Sequence, residues 1–184
     1  MDMGDFVLDI DSIRKSAKTH MEKGAVTPNY KADREAVLQI LDAALATEWL
    51  CVLRYTQHSK AAQGLQAESV AKHFAEHAQQ EQVHAEVLAS RIKQLGKSPN
   101  LNPDSFSKLG HTEYKECDTL TAMIRENLFA ERIAIDAYSA SIRFIGDKDP
   151  TTRRILETIL AVEENHADEM SDLLVAFAPR DSLS

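Results

Sequence analysis

Six residues in this chain are of the types that hold transition metals, and their spacing repeats. They are Glu48, Glu81 with His84, Glu131, and Glu163 with His166. Glu48 precedes Glu81 by 33 residues, and Glu131 precedes Glu163 by 32. Each pair of motifs therefore reads as one helical hairpin, used twice. Within Glu-x-x-His the two side chains project from one helix face about a turn apart. A Glu there can bridge two metals while the His completes one of them. Glu81 and Glu163 are the expected bridges, Glu48 and Glu131 the terminal ligands, and His84 and His166 the single imidazole on each metal. Carboxylates with one imidazole per metal suit iron cycling between its ferrous and ferric states, and manganese or zinc also fits. The plainer alternative is six polar residues at the edge of a core. A single Glu-x-x-His would not decide between them; two copies, each one hairpin after a lone Glu, favour the metal site.

Such a site needs four helices at one level, and the apolar spacing supplies them. Long helices are expected over residues 33–57, 68–95 and 118–145, and from Pro150 to about Phe177, with Asp149 as N-cap. Steps of three and four give each one apolar stripe, including Val37-Leu41-Ala44, Val70-Phe74, Ile124 and Leu156-Ile159. Every candidate ligand falls on such a stripe. A buried carboxylate is costly unless paired or metal-bound. Four together repel, and two divalent cations remove that repulsion. Gly96 to Cys117 is long enough to run the length of a bundle at about 3.3 Å per residue, with a helical turn expected near Ser105–Leu109. The other links are short and make antiparallel hairpins. The expected fold is all-α: a four-helix bundle with one long crossover and an N-terminal extension. That extension, residues 1–32, should carry a short helix over Asp11–Lys23 closed by Gly24. Residues 33–178 form the bundle and 179–184 a short tail.

Several other residues invite a role. Tyr55 and Tyr138 each follow a terminal Glu by seven residues, two turns along the buried face. Either could hydrogen-bond a ligand or supply an electron, with Tyr55 the stronger candidate. His77 lies one turn before Glu81 and could feed or hold a third metal, though a satisfied core histidine is the plainer reading. His58 and His73 read as surface residues. Cys51, three residues after Glu48, reads as a small buried hydrophobe beside the site. Cys117 is too far along the chain for an intrachain bridge to it.

Composition bounds the rest. The apolar fraction of 43% and low content of aromatics, Gly and Pro suit a helical globular protein. No apolar run long enough for a membrane span is evident, and no signal-type segment opens the chain. Two cysteines point to a reducing cytoplasm. A net charge of −8 argues against DNA binding and could concentrate cations.

From Asp33 to Phe177 the chain resembles the bacterioferritin branch of the ferritin-like superfamily. The resemblance rests on Glu48 with Tyr55, on Glu81-Gln82-Val83-His84-Ala85-Glu86, on Leu95-Gly96-Lys97-Ser98-Pro99-Asn100-Leu101, and on Glu163-Glu164-Asn165-His166. It implies a ferroxidase that oxidises Fe(II) with peroxide or dioxygen at two iron ions per subunit and stores the ferric product. Bacterioferritins ligate haem through a Met at the position held here by Gln82, so no haem is expected. The few residues after Phe177 leave no room for a fifth helix. The combination is similar to Dps-like proteins with a bacterioferritin-type site, the thioferritins, which implies a homo-oligomer of twelve subunits. A rubrerythrin-like peroxidase that stores nothing is the alternative. It is weakened by the lack of Cys-x-x-Cys pairs.

Overall fold

The computed structural model describes residues 7–64 and 66–177. Among them are six α-helices and no strand: α1 (Ile10–Ala17), α2 (Arg34–Ala61), α3 (Ala67–Gln94), α4 (Pro103–Leu109), α5 (Leu120–Ile145) and α6 (Pro150–Phe177). The fold is a four-helix bundle of α2, α3, α5 and α6 with one long crossover, as expected. The expected tail over residues 179–184, and with it the question of a fifth helix, lies outside the described residues.

Local chemistry sets the helix ends. The Asp33 side chain accepts from the backbone N–H groups of Glu35 and Ala36 and caps α2. Asp149 caps α6 through the Thr152 N–H at 2.9 Å, ahead of Pro150 at the first helical position. Gly96 (φ 85°) and Gly146 (φ 52°) close α3 and α5 in a backbone region where a Cβ is strained. The extension departs from expectation. Its helix starts after the Asp9 cap and stops at Ala17, and a separate 3-10 turn covers Met21–Lys23. The break falls at His20, a non-glycine residue at φ 55° that cannot continue a right-handed helix.

Two apolar clusters flank the bundle's middle. One joins the start of α2 (Val37, Leu41) to the ends of α3 (Leu88, Ile92) and α5 (Ile145) and the start of α6 (Leu156). The other joins the end of α2 (Tyr55) to the starts of α3 (Val70, Phe74) and α5 (Ile124) and the late part of α6 (Met170). The α2–α3 and α5–α6 hairpins are thus antiparallel, and the crossover from Leu95 to Thr119 traverses the bundle's length. It is pinned on the way by α4, whose Phe106 stacks on Trp49 and covers Ala46 and Leu50. At one end Arg91 forks onto Asp149 at 2.9 and 3.0 Å, and Tyr30 of the extension donates to the same carboxylate at 2.7 Å.

Among the four long helices, α2 alone carries a span-like apolar stretch. An 18-residue window of α2 has a mean hydropathy of 1.6, enough by length and composition to cross a membrane. That window is 61% buried inside the bundle, which marks α2 as the core helix.

Candidate metal centre

Between the two clusters the apolar stripes give way to the six candidate ligands. Glu48 comes from α2, Glu81 and His84 from α3, Glu131 from α5, and Glu163 and His166 from α6. All are buried, with His84 the most accessible at 7%. The structure brings together every one of them. They form two groups of four, Glu48–Glu81–His84–Glu163 and Glu81–Glu131–Glu163–His166. Within each group the donor atoms lie within 4.8 Å of one another, and Glu81 and Glu163 belong to both. That overlap is the geometry of two cations sharing two carboxylates.

The imidazoles sit inside this cage of oxygens. His84 Nδ1 lies 2.9 Å from Glu163, 3.2 Å from Glu81 and 3.3 Å from Glu48. His166 Nδ1 lies 3.2 Å from Glu81 Oε1 and 3.5 Å from Glu163 Oε2, out of line for a hydrogen bond to either. Glu131 Oε2 is buried with no hydrogen-bond partner at all. Unpaired buried donors and acceptors converging on one volume are what a cation would satisfy.

Electrostatics point the same way. Burial raises the Glu48 carboxyl well above the usual carboxylate range, and the charges of Glu163 and Glu81 raise it further. Burial, then Glu81 and Glu163, do the same to Glu131. Burial opposes charge on Glu81 too, but the His166 and His84 imidazoles outweigh it and hold that carboxyl below its usual range. Burial disfavours the imidazolium of His84, yet Glu163, Glu48 and Glu81 overcome it and push the pKa up to about 12. His166 is raised to about 9 by Glu163 and Glu81 against the same burial. The pocket draws positive charge into itself, and its carboxylate and imidazole donors fit a first-row metal.

Each terminal glutamate is held by the tyrosine of the opposite hairpin. Tyr55 on α2 donates to Glu131 Oε1 at 2.5 Å, and Tyr138 on α5 donates to Glu48 Oε1. Burial, followed by the charge of the glutamate each one bonds, raises both phenols well above their usual range, so both stay protonated donors. The sequence placed both tyrosines on the right face but underrated Tyr138. Gln80 escaped notice: its Oε1 accepts from His166 Nε2 at 2.6 Å, which fixes Nδ1 as the atom turned inward. A Gln one residue before a ligand carries no signal of its own. Gln82, at the position linked to haem in the resemblance, is exposed and pairs with Glu86 at 3.2 Å.

The surroundings of His84 differ. It opens onto a groove between α3 and α6 of about 1050 Å³, where Val83, Val87, Ile155, Ile159 and Val162 are joined by polar side chains including Glu76, Gln79 and Arg154.

Comparison with known proteins decides the family. Residues 38–178 match the ferritin-like domain. The chain belongs to the ferritin-like family. This ferritin-like chain is 30% identical over 139 residues to the bacterioferritin of Streptomyces coelicolor, covering 75% of the chain and 79% of that relative. It is 28% identical over 145 residues to the DNA protection during starvation protein of Pyrococcus furiosus, covering 77% and 78%. Among solved structures, the bacterioferritin-related protein of Bacteroides fragilis, described as a dodecameric thioferritin, superposes with a TM-score of 0.76 at 32% identity. That match covers 79% of this chain and 88% of the other.

One of the remaining expectations changes. His58 is not at the surface; it is fully buried, with Nδ1 3.1 Å from the Asn127 amide nitrogen. Arg54 holds that asparagine. Its guanidinium, itself fully buried, donates to Asn127, Thr112, the Glu113 carbonyl and Cys51 Sγ, creating a polar layer at this end of the bundle. His73 is half-exposed and meets His77 and Glu169. Cys51 is buried beside Arg54, and burial raises its thiol well above its usual range. Cys51 and Cys117 are both free, and Cys117 borders the same apolar cluster as Cys51.

Proposed function

We propose that the protein is a ferroxidase that stores or detoxifies iron. It would oxidise Fe(II) to Fe(III) with peroxide or dioxygen at a pair of iron ions held by Glu48, Glu81, His84, Glu131, Glu163 and His166. The observation that carries this reading is the pair of four-residue groups sharing Glu81 and Glu163. Iron bound there supplies one-electron redox chemistry, one electron per ion. The chain's own residues do the rest. Glu81 and Glu163 hold the two positions at fixed separation, and the apolar clusters above and below keep water out. Tyr55 and Tyr138 orient the terminal carboxylates by donating to one oxygen and leaving the other free to ligate. The Tyr55 hydroxyl proton already lies on Glu131, which would receive it if the phenol gave up an electron, while His77 Nδ1 sits 3.2 Å from the same oxygen. The pKa of His77 is lowered by burial and by the nearby His166, which favours its neutral ring.

The likeness to the dodecameric thioferritin of Bacteroides fragilis supports a Dps-like homo-oligomeric cage, with twelve subunits as the specific reading, and a cytoplasmic location is part of the same proposal. Residues 33–178 would form the di-iron unit, 1–32 an extension on it and 179–184 a tail. The test is to load the sized, chelator-treated assembly with Fe(II) anaerobically and add peroxide, then repeat with air alone. Soluble ferric iron co-eluting with a particle of about twelve subunits is the expected result. Oxidation without retained iron would remove storage, and no oxidation with either oxidant would remove the activity.

A further inference from the structure

A third cluster of ligating groups lies beside the paired site and takes no part in it. His73 and His77 are one turn apart on α3 and so share a face, and Glu169 reaches them from α6. Both imidazoles converge on one carboxylate oxygen: His77 Nε2 lies 2.9 Å from Glu169 Oε2 and His73 Nδ1 lies 3.5 Å from it. The three donor atoms are mutually within 4.8 Å. His73 Nδ1 is shielded from solvent and has no hydrogen-bond partner. One oxygen between two imidazoles leaves the second ring unsatisfied, whereas a cation accepts all three donors together. The site is also open on one side, with the His73 and Glu169 side chains 42% and 50% exposed and that of His77 only 3%.

We propose that His73 Nδ1, His77 Nε2 and the Glu169 carboxylate bind a third divalent first-row metal ion, Fe(II) in the cell. Two imidazoles and one carboxylate on one face leave the other coordination positions to water, the arrangement that suits ferrous iron. His77 would turn Nε2 to this ion while its Nδ1 keeps facing the Tyr55 hydroxyl at 3.2 Å. The His77 ring stacks on His166 with centroids 3.9 Å apart. An ion held here therefore lies between solvent and the buried pair. Its role as a holding position for Fe(II) rests on the di-iron reading above; its existence does not.

The test uses Co(II) as the probe, titrated anaerobically into the chelator-treated full-length assembly and followed by calorimetry and visible absorption. Wild type should take up three ions per subunit and His73→Ala/Glu169→Gln two. Glu81→Ala/Glu163→Ala should keep one, with the absorption of the third site. His73→Gln alone serves as the check if the double variant melts early. A wild-type uptake that His73→Ala/Glu169→Gln and His73→Gln both leave unchanged would overturn the third site and leave the pair standing. A Glu81→Ala/Glu163→Ala variant that binds as many ions as wild type would instead overturn the pair, with the third site judged by its own variants.

Discussion

The two halves of the metal centre are built alike at the ligands and differently behind them. Each half has a terminal Glu, an imidazole and a tyrosine from the opposite hairpin, and both share Glu81 and Glu163. Behind His166 lies a polar shell: Gln80 on Nε2, the His77 ring stacked at 3.9 Å, and Glu169 beyond it. Behind His84 lies a groove with Val83, Val87, Ile155, Ile159 and Val162 on its walls and polar side chains such as Glu76 and Arg154 among its lining. The repeat explains the contrast. His77 stands four residues before Glu81, and the matching position before Glu163 is Ile159; Glu169 stands six after Glu163, and the matching position after Glu81 is Val87. The ligand set kept its symmetry while the outer layer lost it. The His166 half is backed by polar side chains, and the His84 half by a groove whose walls are largely apolar.

Breaking the shared elements should remove both halves at once. Glu81→Ala or Glu163→Ala should slow Fe(II) oxidation by about 100-fold or more, since a bridging carboxylate touches both ions. Stopped-flow absorbance of ferric formation measures this. Glu48→Ala and Glu131→Ala should each delete one half, lowering metal uptake at the pair from two ions to one, as counted by titration.

The pH dependence sharpens the electrostatic side of the comparison. In the chelator-treated protein His84 and His166 have folded pKa values of about 12 and about 9, above the ordinary 6.5 of an unfolded histidine. The folded state thus binds more protons, so stability falls as pH rises. The histidine contribution is whole below pH 6.5, and the His166 share is gone above about 9 while the His84 share persists to about 12. The melting temperature of chelator-treated protein should fall from pH 6.5 to 9. Zn(II)-loaded protein should lack that fall, because the metal replaces the protons, and metal uptake at neutral pH should release protons detectable with an indicator dye.

Smaller effects separate the outer layers. Gln80→Leu should weaken binding at the His166 half by about tenfold and leave the His84 half unchanged, because it frees the ring that Gln80 fixes. Tyr55→Phe should slow turnover more than Tyr138→Phe, since only Tyr55 also meets a histidine; a threefold difference on the order of RT ln 3 is enough to read in the rates.

The inner layer was legible in the sequence and the outer layer was not, for a physical reason. Ligands must recur at helix spacing on buried faces, so Glu48, Glu131 and the two Glu-x-x-His motifs announce themselves, and Tyr55 and Tyr138 follow at two turns. Gln80, Glu169 and Arg54 act across helices, and nothing in their own neighbourhood on the chain marks them. His58 was misplaced because its polar partner is Asn127, 69 residues away on another helix and itself held by Arg54. The bundle itself was readable to within two or three residues at most helix ends, from caps and glycines. The extension was not, because its break at His20 rests on an unusual φ rather than on a Gly or Pro.

The shared carboxylates, Glu81 and Glu163, should make the oxidising site. Fe(II) oxidation should be followed by stopped flow in the chelator-treated wild-type assembly and in Glu81→Ala/Glu163→Ala, with peroxide added anaerobically and with air. A fast phase in wild type that is absent from the variant is the result expected. An equal fast phase in both would contradict the paired site.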